Sequence, residues 1–63
     1  MFYSGNQVKI DNQSIYDVLK RNGNIPARCK VFSVVKVEDE EGWVGIVCRS
    51  QILYVQANDL VRA

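Results

Sequence analysis

Four carboxylates stand side by side at Glu38, Asp39, Glu40 and Glu41, and two thiols lie at Cys29 and Cys48. With Ser4, Ser14, Ser33 and Ser50, these are the side chains from which catalysis would have to be built. Acid–base work by paired carboxylates needs a dry pocket that pulls their pKa values apart. A consecutive run reads instead as a solvated hairpin tip whose charges discourage edge pairing, or as a contact for a basic partner. Nucleophilic Cys or Ser needs a neighbouring base, and the chain holds no histidine. Two thiols without a third soft ligand do not make a zinc site. The expectation is a chain that is not an enzyme, with no catalytic residues, no metal and no cofactor.

Binding chemistry is better represented. Trp43, Tyr54 and Phe32, with Lys36 and Arg49, are expected to share one exposed face. An aromatic patch rimmed by charge is the composition of a protein-binding surface. The same aromatics, joined by Lys20, Arg21, Arg28 and Lys30, would also serve as a stacking platform for single-stranded nucleic acid. The 63 residues carry a net charge of only +1, which argues against a dedicated duplex-DNA binder. That small net value hides a split, because residues 1–36 are mainly basic and residues 37–63 mainly acidic.

The elements that must position these groups follow from periodicity. Val8 and Ile10 alternate in a short first strand, Gln7 to Ile10. Ser14 and Asp17 have the spacing of a capping box, and Ile15, Val18 and Leu19 share a helical face. A helix of about 15–22 is expected, ended by Lys20, Arg21 and Gly23. Pro26 then holds Ile25 extended and begins a long strand from Ala27. Three strands follow as an antiparallel meander. Val37, Val35 and Ser33 are placed opposite Val44, Ile46 and Cys48, and Cys48, Ile46 and Val44 opposite Leu53, Val55 and Ala57. This register puts Val31, Ser33, Val35 and Val37 on the core face. The other face receives Phe32, Val34, Lys36, Glu38, Trp43, Val47, Arg49, Ile52, Tyr54 and Gln56, with a notch at Gly45. It also sets Cys29 too far from Cys48 for a disulfide, so both are expected as reduced thiols.

The stretches "EEGWVGIVCR" and "ILYVQANDLV" resemble the SH3-like small barrels: an acidic loop, a Gly-Trp strand start, a tight hairpin, a fourth strand and a single helical turn before a last strand. The resemblance covers mainly residues 40–62, with residues 11–26 as the long first loop. It implies a mainly β fold, a five-stranded SH3-like barrel with one short helix between strands 1 and 2. The alternative is an α+β arrangement in which the helix packs on the antiparallel sheet and covers Trp43. Trp43 matches the tryptophan of that family's polyproline groove. Gln56 or Ala57 stands where the groove has proline, and Asp59 or Leu60 where it has a second tyrosine. The resemblance therefore implies a barrel that binds another protein or nucleic acid rather than a proline-rich peptide.

A chain this short makes a single domain, residues 1–63, near the lower size limit for a self-sufficient core. Its 48% apolar content supplies one. No apolar run is long enough to span a membrane, and the first residues do not read as a secretory signal. The expectation is a cytoplasmic protein, a complete small gene product of the kind phage or bacterial genomes encode. It would act as an adaptor or inhibitor on a larger protein partner. Nucleic acid is the second candidate ligand, and the last strand, "LVRA", offers an edge for a homodimer.

Overall fold

A computed structural model describes residues 2–25 and 28–63. The chain runs β1 (Gln7–Ile10), α1 (Gln13–Arg21), β2 (Phe32–Lys36), β3 (Trp43–Cys48), β4 (Gln51–Gln56), a one-turn 3-10 helix (Ala57–Asp59) and β5 (Leu60–Arg62). The five strands form one open antiparallel sheet in the order β4-β3-β2-β1-β5. The fold is thus mainly β, with a single α-helix between the first two strands. The extension expected at Pro26 and the strand start at Ala27 lie outside the described residues.

One apolar layer holds the sheet together. Val8, Phe32, Val34, Val44, Ile46, Leu53, Val55 and Leu60 are all buried, and together they represent every strand. Ile25 and Cys29 join them from the segment after α1. Alternation explains β3 and β4, where Val44 and Ile46 face Val55 and Leu53. The expected face of these two strands is correct, although the register differs. Arg49 and Ser50 form the turn, Cys48 pairs with Gln51, and Arg49 takes a left-handed φ of 64°. Moving the turn by one residue shifts the pairing by two, which preserves the side each residue faces.

β2 overturns the expected face. Ser33 pairs with Val47 and Val34 with Ile46, and Lys36 pairs with Gly45 after a bulge. Phe32 and Val34 point into the core, whereas Val31, Val35 and Val37 are exposed. Both alternating sets in this stretch are apolar, so periodicity alone cannot choose between them. The bulky ring of Phe32, seated beside Val8 of β1, goes inward. The extra residue at the bulge then lets Lys36 face outward two positions after an inward Val34.

The helix start also differs. The cap is Asn12, whose side chain accepts from the Ser14 and Ile15 N–H groups. Asp17 accepts instead from Gln13 Nε2, at 2.8 Å. Asn12 Nδ2 donates to Asp59 Oδ1 at 3.1 Å, tying the helix to the turn before β5. Tyr16 and Leu19, not Val18, carry the packing against the core, and Val18 is half-exposed. The Tyr16 hydroxyl donates to the Cys29 carbonyl at 3.0 Å. α1 therefore packs on the core side of the sheet and leaves Trp43 uncovered.

Cys29 and Cys48 are joined by a disulfide, against the expectation of free thiols. The expected register kept Cys29 on an extended strand, several steps from Cys48. With β2 beginning only at Phe32, the preceding segment turns back over the core, where Arg28 adopts a φ of 69°. The two Cα atoms then lie 6.6 Å apart, within bridging range. The bridge removes the support that free thiols lent to a reducing compartment. Among the described residues no helix is long and apolar enough to cross a membrane.

Candidate binding face

The outward side of β2, β3 and β4 is built from the same pairings as the core. Since Val44, Ile46, Leu53 and Val55 point inward, Trp43, Gly45 and Val47 on β3 and Ile52, Tyr54 and Gln56 on β4 must point outward. Trp43 lies opposite Gln56, Gly45 opposite Tyr54, and Val47 opposite Ile52. Lys36, released by the bulge, stands on the far side of Gly45 from Tyr54. Trp43, Ile52 and Tyr54 are 40%, 50% and 53% exposed.

Gly45 is the notch of this face. A Cβ placed there would lie 2.8 Å from Lys36 Cβ and 3.4 Å from Tyr54 Cε1. Without it, Lys36 reaches across, and its Nζ sits 5.9 Å from the centre of the Tyr54 ring. At that distance a cation is attracted to the ring face. The stem of the lysine and the ring thus form one continuous surface over a residue that is itself buried.

The acidic run holds the edge of the face in place. Asp39 Oδ1 accepts from the Glu41 and Trp43 N–H groups, each at 2.9 Å. The Asp39 N–H donates to the Trp43 carbonyl, and the Gly42 N–H to the Asp39 carbonyl. Gly42, at φ 88°, makes the return that a residue with a Cβ resists. The Gln56 amide spans the same corner when its Oε1 accepts from Trp43 Nε1 at 3.3 Å and its Nε2 donates to the Glu41 carbonyl at 3.2 Å. In that orientation the indole N–H has a partner within the chain. The expected solvated tip holds, with Asp39, Glu40 and Glu41 exposed, and Asp39 in addition shapes the turn.

The five candidate residues separate. Trp43, Tyr54 and Lys36 come together on the outward side. Phe32 does not join them, being 1% exposed in the core. Arg49 lies in the β3–β4 turn, at the other end of β3 from Trp43. Ile52 belongs to the face and was not singled out as a site, though its alternation with Tyr54 was legible.

A second surface lies on the helix side. Lys9, Ile10, Gln13, Tyr16, Asp17, Lys20 and Lys30 line a half-open groove of about 410 Å³. Part of the basic half of the chain gathers here, away from Trp43. Among the described residues no three His, Cys, Asp or Glu side chains cluster as metal ligands. No protein-family model matches this chain, and no curated protein or solved structure shows significant similarity to it.

Proposed function

We propose that this chain is a non-catalytic protein-binding module, a small adaptor or inhibitor, that grips a larger protein through the outward face of β2, β3 and β4. The observation carrying this reading is the exposure of Trp43, Ile52 and Tyr54 together on one face. Large apolar side chains grouped at a surface, with Lys36 beside them, have the composition of an interface centre. Their mounting suits the role. Asp39 fixes the backbone at Trp43 and Lys36 lies against Tyr54, which lowers the ordering cost of binding. A non-catalytic role is supported by the sequence, which has no histidine and no nucleophile with a companion base.

We read the sheet as a small barrel of the SH3-like kind. The strand order, the pairing of β5 with β1 and the 3-10 turn just before β5 support that reading. Fold alone does not name a ligand, so the function rests on the face.

The groove beside α1 favours a second reading, binding of single-stranded nucleic acid through Lys9, Lys20 and Lys30 around Tyr16. Affinity capture with three baits separates the two: the native chain, Trp43→Ser/Tyr54→Ser, and Lys9→Gln/Lys30→Gln. A protein ligand of the outward face is lost from the second bait and kept by the third. Binding that the second bait retains overturns the proposal. A labelled oligonucleotide that the third bait alone fails to bind, with affinity falling steeply as salt rises, establishes the other reading.

A further inference from the structure

Among the described residues, β4 has a strand neighbour on one side only. Main-chain bonds alternate along an antiparallel pair, and their phase here is set beyond the end of β4, where the Ala57 N–H donates to the Gly42 carbonyl at 2.8 Å. Counting back, Val55, Leu53 and Gln51 exchange bonds with Val44, Ile46 and Cys48. The N–H and C=O groups of Ile52 and Tyr54, and the N–H of Gln56, consequently point off the edge of the sheet, while the Gln56 carbonyl opens the 3-10 turn. Open edges are usually blunted by lysine, proline, a bulge or brevity. The strand "QILYVQ" carries no charge, proline, glycine or bulge.

We propose that this edge pairs with β4 of a second copy, antiparallel about a two-fold axis through Tyr54. Only a register that matches outward main-chain groups with outward main-chain groups forms the ladder. Centring it on Tyr54 pairs Tyr54 with Tyr54 of the second copy, and Ile52 with Gln56 of the second copy in both directions, the Gln56 carbonyl also serving its own 3-10 turn. The same register sets Leu53 beside Val55 of the second copy, which continues the apolar layer from one sheet to the next. An uncharged strand meets itself without repulsion. The flanking charges are opposite, since Arg49 precedes the strand and Asp59 follows it. Antiparallel pairing brings the Arg49 end of each copy beside the Asp59 end of the other, an arrangement that is self-complementary as a two-fold interface requires. The outward faces then run together, with a Trp43 on either side of the axis. This pairing uses the edge of the sheet and does not depend on the partner reading of its face.

The test is amide exchange read by NMR on the native chain over a dilution series, with sedimentation of the same samples. The expected result is a dimer at high concentration. Once about nine-tenths of the chain is dimeric, the Ile52, Tyr54 and Gln56 amides exchange about tenfold more slowly, because exchange passes through the remaining monomer. Leu53 and Val55 stay protected at every dilution. Tyr54→Lys sets two ammonium groups together at the axis and moves the transition to higher concentration, whereas Trp43→Ser leaves it in place. A monomer at all concentrations overturns the proposal. So does a dimer in which the three edge amides still exchange fast, or one that Trp43→Ser abolishes and Tyr54→Lys does not. Edge protection that arises only when a different protein is added overturns it as well, by giving the edge to another occupant.

Discussion

Replacing Gly45 with alanine sets two effects of opposite sign against each other. In a strand, a glycine forgoes about 0.5–1 kcal/mol relative to alanine, because its backbone loses more freedom on folding. Gly45 has no left-handed φ, so the backbone itself accepts a side chain. The surroundings do not. The new Cβ would stand 2.8 Å from Lys36 Cβ and 3.2 Å from Lys36 Cγ. Lys36 Cβ is fixed to the β2 backbone and cannot swing aside as a side-chain end can. Overfilling of this kind costs about 1–3 kcal/mol. The contact of Lys36 with Tyr54, about 0.5–1 kcal/mol at an exposed site, is disturbed as well. The net expectation is a loss of about 1–2 kcal/mol. With a urea slope of about 1 kcal/mol per molar, low in the usual range as befits a small chain, the unfolding midpoint falls by about 1–2 M. Lys36→Ala in the same chain relieves the Cγ contact and leaves the Cβ contact, so the double variant remains destabilised. A Gly45→Ala chain as stable as the native one would refute the reasoning, and the Lys36–Tyr54 surface would need another account.

Three further outcomes are expected. Opening the Cys29–Cys48 bridge frees a loop with a sequence separation of 19. On the chain-entropy model this costs about 3 kcal/mol, read as a lower urea midpoint in reductant. Two titratable thiols in the untreated native chain would contradict it. Asn12→Ala removes a helix cap and the link to Asp59, and lowers stability by about 1 kcal/mol or more in thermal melts, whereas Ser14→Ala changes it far less. Phe32→Ala costs about 3–5 kcal/mol as a buried ring, while Tyr54→Ala, on the surface, stays within about 1 kcal/mol. Equal effects would return Phe32 to the binding face.

The outward face could be read from the sequence on β3 and β4, where the expected turn missed by one residue and the register by two, so every residue kept its side. That put Val44, Ile46, Leu53 and Val55 inward and placed Trp43, Tyr54 and the Gly45 notch correctly. Alternation fails between Val31 and Val37, where every residue except Ser33 and Lys36 is apolar. There the decision is made by how a phenylalanine fits beside Val8, which spacing does not encode. The bulge at Val35 compounds the problem, since it sets Lys36 outward two positions after an inward Val34. The helix cap was misjudged because Ser14 and Asp17 mimic a capping box, while Asn12 gains a second partner only through Asp59, a residue remote in sequence. Tyr16 lay outside the expected helical face of Ile15, Val18 and Leu19, yet its ring packs on the core and its hydroxyl donates to the Cys29 carbonyl. The disulfide depended on the path of the segment before β2, which no local pattern specifies. The resemblance carried by residues 40–62 anticipated the 3-10 turn and the short last strand, and it had no bearing on the edge of β4.

The pairing of β5 with β1 has a consequence for synthesis. Val8 sits between Phe32 and Arg62 in the sheet, and the Ala63 N–H donates to the Gln7 carbonyl. During synthesis β1 therefore gains one of its two neighbours only after residue 62 has been made. Until then Leu60 is missing from the core, and the helix lacks its anchor at Asp59. Such long-range closure comes late and slowly, because the loop entropy is spent before the contacts form. The growing chain is thus held short of its native state until its synthesis reaches β5, and the hairpin of β3 and β4, local in sequence, is the part that can organise first.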